Sequence, residues 1–162
     1  MKYSKLAASG LLVTGLIVAG CSKSETKPSV SNSSGAATAP AVVEHAHGAG
    51  PNGGVVMDLG SHHAEFTVNH GKKEVTILIL GDDEKAPKPI AATGFVLNTK
   101  ETKTADGKVV LPMTITLQPV NAADGKTATF TGTDPGVGNV ADFAGTVSGE
   151  IDSKPAMGEF KE

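Results

Sequence analysis

The sequence predicts an all-β domain behind an amino-terminal stretch that shares none of its pattern. From Val55 onward, Val, Ile, Thr and Phe recur at every second position in short runs. The runs are separated by Gly, Asn, Asp and Pro, the residues that turn a chain. No window of ten residues carries an apolar stripe at helical spacing. Residues 53–162 are long enough for one core and too short for two. The expected architecture is a single antiparallel β-sandwich, immunoglobulin-like, of seven or eight strands after a disordered amino-terminal tether.

Strands are expected at Val55–Leu59, His62–Asn69, Lys73–Leu80, Ala92–Asn98, Val109–Val120, Ala128–Gly132, Gly145–Ile151 and Ala156–Phe160, with at most a helical turn near Gly138–Phe143. In the second strand Ala64, Phe66 and Val68 share the core face, and His63, Glu65, Thr67 and Asn69 share the outer one. His62 then falls on the core side, at the rim, and His70 reads as a turn residue. In the third strand Val75, Ile77 and Ile79 face the core, but Leu78 and Leu80 make the outer face apolar too, so a loop or the amino-terminal segment should cover it, in preference to a partner. Pairing Phe66 with Ile77 and Val68 with Val75 leaves Gly71-Lys72 as a two-residue turn of type II′. Gly81-Asp82-Asp83-Glu84-Lys85 lacks the alternating carboxylates of a calcium loop and reads as a solvated connection. Val109, Leu111, Met113, Ile115 and Leu117 alternate and predict one long central strand, flanked by the turn dipeptides Asp106-Gly107 and Asp124-Gly125.

The amino terminus sets location. Lys2 and Lys5 precede an uncharged run from Leu6 to Ala19, which ends in Val18-Ala19-Gly20-Cys21. A membrane-spanning helix needs roughly 20 apolar residues, and this run is shorter. A basic start, a short apolar run and small residues before a cut form the layout of a secretory signal. The four residues ending in the chain's only cysteine resemble the lipobox of bacterial lipoproteins. That resemblance implies a signal peptide over residues 1–20, a diacylglycerol and a fatty acid such as palmitate on Cys21, and attachment to a lipid bilayer. Ser22 after the cysteine implies the outer membrane, facing the periplasm, in a Gram-negative cell. At about 0.8 kcal/mol per buried methylene, several acyl chains make such an anchor permanent. Ser22 to Ala41 is Ser, Ala, Thr, Asn, Lys and Pro with little to bury, a solvated tether of about 25 Å reach. Residues 21–52 form the linker.

Composition narrows the chemistry. The 14 basic residues are all lysine. Without arginine there is no planar fork for phosphate, and without a basic cluster no nucleic-acid footprint, so nucleic acid is excluded as a partner. With Cys21 acylated no thiol remains for a disulfide, a thiolate site or catalysis. There is no Gly-x-Ser-x-Gly elbow and no phosphate loop, and the chain is not expected to be an enzyme. No Trp is present and the single Tyr lies in the signal, which removes the stacking faces of a sugar binder.

All 5 histidines fall between positions 45 and 70. In extended backbone the His45-Ala46-His47 pair points both rings to one side, and imidazole suits zinc and copper(II). The candidate metal ligands are His45, His47, His62 and His63, with Glu44 or Glu65 as an oxygen donor, and the Gly-rich connection Gly48–Gly54 would let the first pair fold back over the strands. His47-Gly48 through Pro51-Asn52-Gly53-Gly54-Val55-Val56, His63-Ala64-Glu65-Phe66, Thr76–Leu80 and Gly158-Glu159-Phe160 resemble a group of planctomycete-type bacterial lipoproteins with a His-rich entry and a small β domain. The group brings no activity with it, and where it reads His-Gly-Gly this chain has Asn52-Gly53-Gly54. Two functions stand on these observations. One is a membrane-anchored lipoprotein that binds or handles zinc or copper. The other is an anchored structural or interaction module of the cell envelope, with a protein partner and no metal.

Overall fold

The computed structural model describes residues 47–162. The expected signal peptide and tether, Cys21, Glu44 and His45 lie outside them. The described chain is all β, with ten strands and one 3-10 turn in the order β1 (Val55–Leu59), β2 (His62–Asn69), β3 (Glu74–Leu80), β4 (Phe95–Thr99), β5 (Thr102–Lys103), β6 (Val109–Val110), β7 (Thr114–Val120), β8 (Thr129–Thr133), the turn Pro135–Gly138, β9 (Ala144–Ile151) and β10 (Lys154–Lys161).

Eight strands form one antiparallel sheet in the order β1-β2-β3-β8-β7-β4-β9-β10, and β5 pairs with β6 apart from it. The sheet bends at β7, which serves both layers. Thr114–Leu117 pairs with β4, and Gln118–Val120 pairs with β8. Both faces therefore belong to one folded-over sheet, as expected of a single antiparallel β domain. The inner side chains alternate along each strand: Ala64 and Phe66 on β2, Val75, Ile77 and Ile79 on β3, Phe95 and Leu97 on β4, Ile115 and Leu117 on β7. Phe66 of one layer stacks on Phe160 of the other with centroids 4.1 Å apart, and Phe95 meets Phe130 edge to face at 4.7 Å. Such aromatic pairs add about 0.5–1.5 kcal/mol each beyond burial.

The outer strands almost close the sheet. The Gly60 N–H donates to the Met157 carbonyl at 3.1 Å, so the β1–β2 turn is tied to β10. Where β10 crosses β1 it carries Gly158, and a Cβ there would stand 2.1 Å from the Asp58 carbonyl oxygen.

Register follows the hydrophobic pattern. Phe66 pairs with Ile77 and Val68 with Val75. The turn between them differs from the two-residue form. Asn69 Oδ1 accepts the Lys72 N–H at 2.9 Å, the Lys73 N–H bonds the His70 carbonyl, and Lys73, not Gly71, takes positive φ. The side-chain cap on Asn69 favours this wider turn.

The long strand expected at Val109–Val120 is also divided. Pro112 has no N–H for a ladder, and the chain leaves the sheet between β6 and β7. The inward parity shifts there: Val110 and Met113 are buried, while Val109 and Leu111 are exposed. The single helical turn lies at Pro135–Gly138, one segment earlier than expected, where Asp134 Oδ1 caps the Gly136 N–H at 2.7 Å.

Replacing Gly158 by alanine should force β10 away from β1. We expect Gly158→Ala to lower the unfolding free energy by about 1–3 kcal/mol, measurable by urea denaturation, with no change in strand content by circular dichroism.

Candidate metal centre

The outer face of β1–β2–β3 carries a second small layer, and the candidate site lies within it. Val56 and Leu80 are buried there, outside the main core. The covering expected from the apolar outer face comes from within the chain. On one side His47–Gly54 lies across β1 and β2, with Ala49 bridged to Val55; on the other the β3–β4 loop folds back, with Pro87 bridged to Leu80.

Glu65 anchors the first cover. It projects from the outer face yet has no exposed surface. Its Oε1 accepts the backbone N–H of Asn52 at 2.8 Å and of Gly54 at 2.9 Å, and its Oε2 accepts Asn52 Nδ2 at 2.8 Å. The glycines leave room for it. A Cβ on Gly50 would meet the Glu65 carboxyl at 2.4 Å, and one on Gly54 would meet the Phe66 carbonyl oxygen at 2.2 Å. Gly53, at φ 79°, supplies the left-handed residue of the turn. Glu65 was expected as an oxygen donor to an ion. Its carboxylate is instead consumed by backbone, and it acts by fixing the turn that carries His47.

The tight turn at Gly60-Ser61 sets the other half of the site. With Gly60 at φ 65°, Leu59 pairs with His62, and Asp58 is placed directly opposite His63 on the outer face. His62, one residue away, points to the opposite face of the strand; its Nδ1 lies 3.3 Å from Ser61 Oγ. His47 and His63 come together with ring centroids 5.4 Å apart. His70 is remote, with Nδ1 donating to the Val137 carbonyl at 2.8 Å.

Four side chains converge: His47 from the entry segment, Asp58 from β1, His63 from β2 and Glu84 from the β3–β4 loop. Nδ1 of His47 donates to Glu84 Oε1 at 3.0 Å, and Nδ1 of His63 to the Gly81 carbonyl at 3.4 Å. A carboxylate and a carbonyl only accept, so each Nδ1 carries the hydrogen. Both Nε2 atoms then turn toward one carboxylate: His47 Nε2 is 3.5 Å from Asp58 Oδ2, and His63 Nε2 is 3.5 Å from Asp58 Oδ1. A ligand atom from each of His47, Asp58 and His63 lies within 4.8 Å of the others. Glu84 Oε1 is also 3.6 Å from His63 Nε2. The His47 side chain is 10% exposed and that of Glu84 34%, so the cluster sits at the surface with its deepest member on the entry segment.

The loop behind Glu84 is built to present it. Asp83 Oδ1 accepts the N–H groups of Lys85 and Ala86, both at 3.1 Å. These two bonds, Ala86 first, hold the Asp83 carboxyl below the usual aspartate range. Their support is complete above that range and is lost as pH falls through the lowered value. Glu84 itself takes φ 56°, a left-handed conformation that disfavours a side chain.

Of the ligands expected from sequence, the structure brings His47 and His63 together, leaves His62 aside and does not describe His45. Asp58 and Glu84 were missed. Asp58 was accessible through the two-residue turn, which fixes its partner; Glu84 had no signal beyond a charged turn. Comparison with protein-family models, with curated proteins and with solved structures gives no match.

Glu65→Gln would turn an amide N–H toward N–H donors. We expect it to cost about 1–3 kcal/mol in thermal or urea unfolding and to weaken metal binding as well, although the Glu65 carboxylate bonds only to Asn52 and Gly54.

Proposed function

We propose that the protein is an exported, membrane-anchored bacterial lipoprotein that binds a divalent transition metal, zinc or copper(II), at His47, Asp58 and His63, and that it is a binding protein without catalytic machinery. One observation carries the metal reading. With Nδ1 of His47 facing Glu84 and Nδ1 of His63 facing Gly81, both Nε2 atoms and the Asp58 carboxylate face a common point, and as neutral imidazoles protonated at Nδ1 the two rings offer lone pairs there, a donor set suited to a cation. Metal-bound histidine commonly donates its second N–H to a carboxylate or a backbone carbonyl. The spacing agrees as well. Two donors about 2.0–2.1 Å from a tetrahedral ion lie about 3.4 Å apart; each imidazole is 3.5 Å from a different oxygen of Asp58 and one donor atom from each residue lies within 4.8 Å of the others, so small side-chain movements would draw the set in on an ion. Two imidazoles with one carboxylate and no thiolate favour zinc and copper(II) over calcium and magnesium.

The anchor rests on Val18-Ala19-Gly20-Cys21 and its resemblance to the lipobox. The reading is a chain cut before Cys21, acylated there, and held at the periplasmic face of an outer membrane where the cell has one.

Titration with zinc and with copper(II) should give micromolar or tighter binding that disappears in His47→Ala and in His63→Ala and weakens about 10–100-fold in Glu84→Gln. Equal, weak binding by wild type and all three variants would favour an envelope interaction module instead. For the anchor, wild type produced in bacteria should partition with membranes and Cys21→Ser should not; an unmodified Cys21 in the mass spectrum of the mature chain would refute acylation.

A further inference from the structure

Resting on the metal reading above, we infer that the site exchanges its ion with other molecules by attack at an open coordination position, and does not hold a permanent structural ion. Among the described residues the ligand set is three. His47, Asp58 and His63 supply three protein donors, whereas closed structural zinc sites supply four, and sites with three keep a position for water or an incoming ligand. Glu84 is not among the residues whose donor atoms group together, and its Oε1 is engaged at 3.0 Å with His47 Nδ1, the contact that leaves Nε2 free for the metal. Asp58, His63 and Glu84 are each partly exposed, so the fourth position opens to solvent.

The ion is also unnecessary to the fold. The core lies on the opposite face of the sheet, and Glu65 fixes the Asn52–Gly54 turn through protein donors alone. Two ligands are rigid, because Asp58 and His63 are paired across adjacent strands. The third stands outside the sheet. Between His47 and the Glu65 anchor lie Gly48, with open space where a Cβ would be, and the single bridge at Ala49. An incoming donor can therefore bind first. One metal–donor bond forms and the bond to His47 Nε2 breaks; further donors of the incoming molecule then replace Asp58 and His63 in turn, each protein donor keeping its lone pair, and the ion leaves with a molecule that offers several imidazole, carboxylate or thiolate donors.

Zinc-loaded full-length chain in detergent should be mixed by stopped flow with the chromophoric chelator 4-(2-pyridylazo)resorcinol over a 20-fold range of excess. Transfer should be complete, its rate should rise in proportion to chelator concentration, and the metal-free chain should keep its cooperative thermal transition. A rate independent of chelator, as expected if Glu84 or another donor closes the site, would overturn the inference, as would failure to transfer within hours or unfolding on loss of zinc. Absence of zinc binding at the outset would refute the metal reading itself.

Discussion

The arrangement of the outer layer depends on the buried carboxylate of Glu65. A carboxylate taken from water must recover its hydrogen bonds inside the protein, and among the described residues its donors are the backbone of Asn52 and Gly54 and the side chain of Asn52. Satisfying Glu65 therefore requires the entry segment to lie against β2, which requires glycine at positions 50 and 54. His47 is carried to the start of β2, beside His63, as a result. A buried acidic residue thus serves as the hinge post for a histidine 18 residues earlier in the chain.

The two halves of the cluster have different mechanical origins. Asp58 and His63 are placed by strand pairing, where a shift of one residue would send both to the core; the glycine at position 60 prevents it. His47 and Glu84 come from segments held by turns and by isolated bonds. Local stability is lowest where backbone bonds are few and exposed, so the protein combines a fixed pair with two adjustable groups.

The fold was largely legible from sequence because alternation and turn residues act locally. β1 and β2 have the expected ends, and β2 and β3 pair in the expected register. The turn after Asn69 and the break at Pro112 were not, because a side-chain cap and a missing N–H outweigh an apolar alternation that continues on paper. The site was legible only in part. Clustering identified His47 and His63, but a histidine and a carboxylate 21 residues apart, such as His63 and Glu84, meet only through the path of a loop. Glu65 was misassigned for the opposite reason. An outward position on a strand implies solvent unless some other segment covers it, and the covering segment here was read as linker.

The seam between β1 and β10 bears on how neighbouring molecules can coexist. An open sheet offers unpaired N–H and C=O groups at both margins, and identical chains crowded together can add strand to strand. Here the two margins approach one another through Gly60 and Gly158. Each shields the other from a third strand. The described domain therefore has little tendency to polymerise edge to edge.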